Sequence, residues 1–269
     1  MKVVAIQMAS GPNIEANLLE AERLIRQAVE AGAKLIVLPE NFALMGMTEV
    51  DKVSAREAPG DGPVQDFLSN QARRSKVWIV GGTVPLVCPD PDKVYAACLL
   101  FNDRGEEVAR YDKIHLFDVA LGDNGESYNE SETILPGEQT VVVDTPFGRL
   151  GLAVCYDLRF PELFRAMLED GMEMVAVPSA FTALTGKAHW EILVRARAIE
   201  NLAFVIAAAQ GGYHRNGRET YGHSMVVDPW GSILAELSTG SGVAVADLDR
   251  SLLESTRRNF PAIDHRRIA

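Results

Sequence analysis

The sequence has few cysteines, no long apolar run and no cluster of basic residues, and each of these absences excludes a class of protein. Only three of the 269 residues are cysteines, and none forms a C-x-x-C pair, so no disulfide framework is indicated. A transmembrane helix needs about 18 or more consecutive apolar residues, and the best candidate, residues 202–209, is too short. The net charge is −11 and there is no Lys/Arg-rich run, which argues against binding to nucleic acid.

Metal-binding spacings are also missing. The five histidines form no H-E-x-x-H or short H-x-H pattern, so we expect no metal site.

No apolar leader opens the chain, which predicts a cytoplasmic protein with reduced thiols. Hydrophobic residues make up 47% of the chain and no linker divides it, so we predict a single domain spanning residues 1–269.

What recurs is a short apolar run followed by a turn and an amphipathic helix. Residues 3–8 and 35–38 read as strands, and apolar residues at helical spacing fill the stretch from 18 to 29 between them. A strand, a helix and a strand in this order predict a parallel crossover, and hence an α/β fold. Further strands are predicted at 77–80, 95–101, 140–143, 150–154, 174–177, 204–209, 225–227 and 243–246, with helices at 65–74, 161–169 and 190–201.

Polar residues follow the ends of several of these strands, where ligands bind in open α/β sheets. Glu40 follows the run at 35–38, and Cys155 follows the run at 150–154. A cysteine becomes a nucleophile as a thiolate, which needs a base such as Glu40 and a positive group such as Lys113. Taken singly, a cysteine such as Cys155 at a strand end is in most cases a packing residue, and Lys113 alone indicates a solvated surface charge. Glu40 is harder to explain in this way, although an exposed loop carboxylate is an alternative.

Three segments together carry a resemblance. Residues 38–42 (LPENF), 112–118 (DKIHLFD) and 154–163 (VCYDLRFPEL) resemble the three signatures of the nitrilase superfamily, the carbon–nitrogen hydrolases. The resemblance implies a four-layer αββα sandwich and an amidase that uses neither metal nor organic cofactor. It also implies pairing through a helical face into a homodimer or larger homo-oligomer. The expected partner is a small-molecule amide, not a nucleic acid or a membrane.

The roles of the site residues follow from the same resemblance. Cys155 corresponds to the nucleophile that forms a thioester, and Glu40 to the general base and acid. Lys113 corresponds to the stabiliser of the oxyanion, helped by the backbone N–H of Tyr156. Many members carry a second glutamate. Glu130 fits its Glu-Ser-x-Thr pattern, while Glu126 and Glu132 lie close enough to compete.

The residues around the nucleophile also indicate a branch. True nitrilases generally have Trp-Glu after the nucleophile, whereas this chain has Tyr156 and Asp157. The segments at 178–181, 186–191 and 195–200 resemble the branch that contains omega-amidases and deaminated glutathione amidases. The segments at 207–210 and 221–231 favour the second activity, on an anionic keto-amide. An omega-amidase, another amidase or an N-carbamoyl hydrolase are the alternatives. An inactive scaffold relative is disfavoured by the intact Glu40, Lys113 and Cys155.

Contacts with such a substrate are expected from residues near these motifs. For Phe181 and Trp190 core packing is an equal alternative. Arg159 is interpreted mainly as an ion-pair partner of Glu162, and Lys187 mainly as a solvated charge on a loop, with contact to a substrate carboxylate as the alternative for both. The residues expected to line the pocket are Phe42, Ser179, Phe181, Thr185 and Trp190.

Overall fold

The strands of the protein form two large sheets and two short ribbons. The computed structural model of the chain describes residues 1–121 and 126–268. In these residues the strands are β1 (Lys2–Gln7), β2 (Leu35–Val37), β3 (Trp78–Val80), β4 (Val84–Val87), β5 (Val94–Phe101), β6 (Glu107–Asp112), β7 (Asp118–Leu121), β8 (Glu126–Asn129), β9 (Val142–Thr145), β10 (Gly148–Leu152), β11 (Met174–Ser179), β12 (Phe204–Ala209), β13 (Gly211–Tyr213), β14 (Glu219–Tyr221), β15 (Ser224–Val227), β16 (Ile233–Leu237) and β17 (Gly242–Asp247).

The helices lie between strands and at the C-terminal end of the described chain. They are α1 (Ile14–Glu30), α2 (Val50–Ser54), α3 (Pro63–Ser75), α4 (Pro161–Glu169), α5 (Ala183–Asn201) and α6 (Arg250–Asn259), with short 3₁₀ turns at Glu130–Glu132 and Cys155–Arg159. Among the described residues, none of these helices combines the length and the apolar character that crossing a membrane requires.

The first sheet has the strand order β17-β1-β2-β3-β5-β4, with β6 paired to β5. The second has the order β16-β15-β12-β11-β10-β9. The neighbours β1, β2 and β3 are parallel, as are β10, β11 and β12. Glu40 follows the carboxyl end of β2 and Cys155 follows the carboxyl end of β10, so the two residues come from different sheets. Both lie at strand ends, as expected from the sequence.

The two sheets face each other and helices cover their outer sides. Along β1, Val3 and Ala5 pack into the core between the sheets, whereas Val4 and Ile6 pack against α1 and α3. This alternation is the two-residue period of a strand with both faces buried. On the second sheet, α5 packs outside β12, and α4 packs against α5. The layers follow the order helices, sheet, sheet, helices, so the predicted αββα sandwich is confirmed.

The long apolar elements were predicted well and the short amphipathic ones were not. The strand at 204–209 and the helix at 161–169 were predicted with the bounds that the structure gives. Helix α5 begins at Ala183 rather than at residue 190, because the Thr182 hydroxyl caps it by accepting from the Thr185 N–H. Ribbons β7–β8 and β13–β14, strand β16 and helix α6 were missed. They are short or largely exposed, and so contain too few apolar residues for a sequence pattern to reveal them.

A glycine directly supports the segment that carries Glu40. Gly82 follows β3 with φ +56°, in the left-handed region that favours glycine. A Cβ built on it would lie 2.1 Å from the carbonyl oxygen of Pro39, the residue before Glu40. The close approach of these two strand ends therefore depends on a residue without a side chain.

We expect Gly82→Ala to lower the free energy of unfolding by about 3 kcal/mol or more, because backbone strain adds to a clash with rigid backbone. Gly60→Ala is the matched control. Gly60 also has a positive φ, +80°, but its added Cβ meets nothing within 4 Å, so that variant should lose only about 1 kcal/mol. Urea denaturation of both variants measures the difference. Equal losses would show that the contact with Pro39 does not constrain the fold.

Candidate active site

Lys113 lies at the centre of a buried cluster of charges. Its ammonium donates to Glu40 Oε1 at 2.8 Å and to Glu130 Oε2 at 2.7 Å. The lysine side chain is 0% exposed, and those of the two glutamates are 5% and 11% exposed. An ammonium has three hydrogens, so one remains for a third acceptor. The structure thus brings together three residues that lie far apart in the sequence.

Hydrogen bonds from the second sheet hold the backbone at Glu40. Gln210, directly after β12 and 0% exposed, donates from Nε2 to the Glu40 carbonyl at 3.0 Å and to the Ser10 hydroxyl at 2.8 Å. The Ser10 hydroxyl donates in turn to the carbonyl of Phe42 at 2.8 Å. On the other side, Asn41 N–H donates to the Thr83 hydroxyl at 2.9 Å. Both sheets therefore fix the position of this carboxylate.

Of the three glutamates considered for the second acidic position, the structure brings Glu130 to the lysine. It begins a 3₁₀ turn, and its Oε2 also accepts from the Phe117 N–H at 2.8 Å. Glu132 is exposed and accepts from the Asn129 side chain at 2.8 Å. The side chain of Glu126 lies outside the described residues.

Cys155 opens the other 3₁₀ turn, immediately beyond the second sheet. Its φ of +49° lies in the left-handed region, a strained conformation for a residue with a side chain. The Ala180 N–H, at the end of β11, donates to its Sγ at 3.4 Å. Such strain is typical of functional sites, and here the sharp turn points the sulfur to the strand ends.

Asp157 connects this turn to the segment that carries Lys113. Its buried carboxylate accepts from the Val154 N–H at 2.8 Å and from the Tyr111 hydroxyl at 2.7 Å. The other oxygen contacts His115 Nδ1 at 2.7 Å and accepts from the His115 N–H at 3.2 Å. Since Tyr111 and His115 flank the lysine by two residues on either side, one carboxylate fixes the nucleophile turn and the lysine relative to each other.

The electrostatics of the cluster keep the lysine charged and the thiol neutral. Burial acts to lower the pKa of Lys113, but the carboxylates of Glu130 and Glu40 outweigh it and raise that pKa well above its usual value. Burial acts to raise the pKa of Glu130, yet the Lys113 and Lys52 ammonium groups hold it low. Burial and the Glu40 carboxylate raise the pKa of the Cys155 thiol, against the opposing effect of Lys113. The resting sulfur therefore carries a proton that a base must remove.

The catalytic pocket, as we name it, opens onto Cys155. Glu40, Glu130, Tyr156, Phe181 and Thr185 are among the residues that line it, so two of the expected substrate contacts, Phe181 and Thr185, lie in its wall.

Two guanidinium groups also line the catalytic pocket. That of Arg159 lies 5.3 Å from the ring centroid of Phe181, and that of Arg218 lies 4.9 Å from the ring of Tyr128. The Nε of Arg218 is buried and has no hydrogen-bond partner among the described residues. Sequence reasoning missed Arg218, because it follows a turn far along the chain from the three motifs.

Three other expected contacts lie in the core. Phe42 is 0% exposed and packs with α1 and α3 under the first sheet. The Ser179 hydroxyl donates to the Val177 carbonyl at 3.2 Å, and Trp190 donates to the His223 carbonyl at 2.7 Å while it packs against Phe181. Contrary to expectation, Phe42, Ser179 and Trp190 are not among the residues that line the catalytic pocket, and each is fully buried.

Two further expectations about charge are also corrected. Within the described residues Arg159 has no ion pair with Glu162, and its guanidinium instead contacts His189 Nδ1 at 3.3 Å at the pocket wall. Lys187 lies in helix α5 rather than in a loop, and it is exposed as expected. In the described part of the chain, no group of three or more His, Cys, Asp or Glu side chains is placed to hold a metal ion.

Comparisons with known proteins agree with this geometry. The family model for carbon–nitrogen hydrolases matches residues 2–258. A deaminated glutathione amidase from a Synechocystis strain is 45% identical over 265 residues, which cover 97% of this chain and 96% of that protein. The Saccharomyces cerevisiae omega-amidase NIT3 is 39% identical over 272 residues, covering 99% of this chain and 93% of that protein.

Solved structures show the same fold. The crystal structure of S. cerevisiae Nit3, described as a member of branch 10 of the nitrilase superfamily, has a TM-score of 0.89 at 35% identity and covers 100% of this chain and 97% of its own. That of the C. elegans NitFhit protein has a TM-score of 0.92 at 38% identity, covering 99% of this chain and 65% of the longer NitFhit chain. The chain therefore belongs to the carbon–nitrogen hydrolase family, the nitrilase superfamily, and is an enzyme that hydrolyses C–N amide bonds.

Proposed function

We propose that this enzyme is a deaminated glutathione amidase that works through a thioester on Cys155. The observation that carries the proposal is the Lys113 ammonium held between Glu40 and Glu130, two carboxylates that line a pocket together with Cys155 and two arginines. The cluster supplies a nucleophile, a base and a fixed positive charge, which are the three elements that cleavage of an amide needs.

In the acylation step Glu40 takes the proton of the Cys155 thiol as Sγ attacks the amide carbonyl carbon. The raised pKa of this thiol fits a general-base step better than a preformed thiolate. The oxyanion that forms is stabilised by the third hydrogen of Lys113 and by the Tyr156 N–H. Glu40 then gives its proton to the amide nitrogen, the C–N bond breaks, and the amine leaves a thioester on Cys155.

In the deacylation step Glu40 takes a proton from a water molecule as the water oxygen adds to the thioester carbonyl. Collapse of this second tetrahedral intermediate breaks the C–S bond, and the proton returns from Glu40 to the sulfur. Glu130 is a positioning residue in this scheme. Together with the Phe117 N–H it holds Lys113, and its charge keeps the ammonium protonated throughout.

The substrate is proposed from the charge of the pocket and from the relatives. Deaminated glutathione carries a keto group in place of the γ-glutamyl amino group, so it is anionic at both ends. Its hydrolysis yields 2-oxoglutarate and cysteinylglycine. The protein is acidic overall, and Arg159 and Arg218 supply local positive charge at the pocket for such a substrate. The Synechocystis relative of that name is 45% identical.

Omega-amidase activity is the second candidate, since a relative of that name is 39% identical. Its substrate, 2-oxoglutaramate, would give the same 2-oxoglutaryl thioester but release ammonia. The two candidates therefore differ only in the leaving group.

The remaining expectations extend the proposal. Residues 1–269 form one domain, and the enzyme works as a homodimer or larger assembly in the cytoplasm. Support for assembly comes from Leu184, Ile192 and Ile199 on α5, which are 56%, 69% and 46% exposed. Apolar side chains grouped on one helix are typical of a protein interface.

The proposed activity is tested by kcat/KM of the purified enzyme for deaminated glutathione beside 2-oxoglutaramate, with Cys155→Ser as the blank. We expect a preference for deaminated glutathione of tenfold or more, about 1.4 kcal/mol, because only its longer leaving group can use both arginines. A preference for 2-oxoglutaramate would assign the enzyme to the omega-amidases. Full activity of Cys155→Ser would contradict the mechanism.

The arginines are tested with charge-removing variants. We expect Arg159→Met and Arg218→Met each to lower kcat/KM for deaminated glutathione by roughly 10–100-fold, since a hydrogen bond to a charged group contributes about 1.5–3 kcal/mol. Lys187→Met, which removes an exposed lysine of α5, should leave activity unchanged. An uncharged amide substrate separates recognition from folding, because its slower hydrolysis should not respond to either arginine. An equal loss on both substrates would contradict anion recognition.

A further inference from the structure

A second cavity lies against the same two carboxylates. It is lined by Glu40, Glu130, Lys52, Thr83 and Ala96, among other residues, and it shares only Glu40 and Glu130 with the catalytic pocket. We call it the inner cavity. Its volume is about 10 Å³, the same as that of the catalytic pocket, and this is the room for one water molecule. Neither Cys155 nor the arginines of the catalytic pocket line it, so the two spaces have only this pair of carboxylates in common.

The wall of the inner cavity includes a buried lysine, Lys52. It lies on the short helix α2 and is 8% exposed, and its ammonium donates to Glu49 Oε2 at 2.7 Å at the protein surface. An ammonium has two further hydrogens after that bond. A lysine is almost never buried to this extent unless it is paired, and the pair with Glu49 accounts for one of its three hydrogens.

The remaining polar groups complete a site for a small hydrogen-bonding molecule. Thr83 is 4% exposed, and its hydroxyl already accepts from the Asn41 N–H, which leaves its own hydrogen to donate. Glu40 and Glu130 provide acceptors on the opposite wall. A buried water typically makes about three hydrogen bonds to such groups, so this cavity has both the size and the partners that one requires.

The reaction creates a need for water at this place. Once the amine has left, the acyl chain on Cys155 occupies the catalytic pocket, whose wall includes Arg159 and Arg218. A water in that pocket shares the space with the chain, whereas the inner cavity reaches Glu40 and is not lined by Cys155. The amine also leaves behind the space next to Glu40 that the attacking water must enter.

We propose that the inner cavity holds the hydrolytic water, and that Lys52 positions it for deacylation. The proposal rests on the thioester mechanism above. The water moves past the Glu40 carboxylate, which takes one of its protons, and the new C–O bond forms as described for that step. The C–S bond breaks, and the proton goes from Glu40 to the sulfur. Lys52 is thus a positioning residue for the second half-reaction and does not touch the reacting carbon.

A purely electrostatic role for Lys52 is the main rival. Its charge is one of the causes that hold the pKa of Glu130 low, beside Lys113 and the Phe117 N–H. The Cys155 thiol also interacts with this carboxylate, and Glu40, Tyr156, Arg159 and Arg218 line the same pocket. Loss of charge acts on the cluster in both half-reactions, whereas loss of a water site acts only on deacylation. The two roles therefore differ in kinetics.

The test is Lys52→Met, which keeps the side-chain volume, and the fold should be retained because the partner that it leaves, Glu49, is 42% exposed at its side chain. With deaminated glutathione, rapid quench should show a burst of one cysteinylglycine per site at the wild-type rate, followed by slow release of 2-oxoglutarate. We expect kcat to fall about tenfold or more while kcat/KM, which reports acylation, stays unchanged. Lys34→Met, which removes an exposed lysine, is the control.

A second variant fills the inner cavity and keeps all the charged residues around it. Ala96→Val adds two methyl groups at the wall of the inner cavity, and it should also lower kcat with kcat/KM unchanged. Equal falls of kcat and kcat/KM in Lys52→Met, or an unaltered kcat in either variant, would overturn the proposal. Absence of any acyl-enzyme burst in all proteins, wild type included, would instead contradict the thioester mechanism itself.

Discussion

The fold and the chemistry of this enzyme both depend on one buried ammonium group. Lys113 is 0% exposed at its side chain, and removing an ammonium from water costs several kcal/mol unless partners replace the water. Glu40 and Glu130 provide these partners at 2.8 and 2.7 Å. Because each of the three residues comes from a different part of the chain, the cluster is stable only when the first sheet and the turn at Glu130 are correctly assembled. In the proposed mechanism the same charge binds the oxyanion without reorganisation.

The sandwich provides the rigidity that such a cluster needs. In each sheet the parallel strands end at the same edge. Because the two sheets pack face to face, the edge that carries Glu40 lies next to the edge that carries Cys155. Two buried polar side chains fix this relation. Gln210 reaches from the second sheet to the backbone of Glu40, and Asp157 links the cysteine turn to Tyr111 beside the lysine. Buried polar groups with all their partners in place make such an arrangement specific.

The sequence predicted those parts of the structure that depend on patterns among neighbouring residues. Continuous apolar runs predicted the central strands, and the three motifs predicted that Glu40, Lys113 and Cys155 share one site. In the structure Lys113 contacts Glu40, and Cys155 lines a pocket that Glu40 also lines. Other features depend on tertiary packing that no local pattern expresses. Arg218 reaches the catalytic pocket from a turn after β13, and Trp190 turns into the core although its neighbours in the motif suggested a pocket contact. Short exposed strands such as β7 were missed because they bury no apolar face.

The central claim is that Cys155 carries the acyl group during turnover. Rapid acid quench with deaminated glutathione, followed by mass spectrometry of the proteolytic peptides, tests it most directly. The account predicts one 2-oxoglutaryl group on the peptide that contains Cys155, formed and consumed at least as fast as kcat, while Cys88 and Cys98 stay unmodified. Steady turnover without an acyl group on Cys155 at any time point, together with turnover that persists in Cys155→Ser, would contradict it.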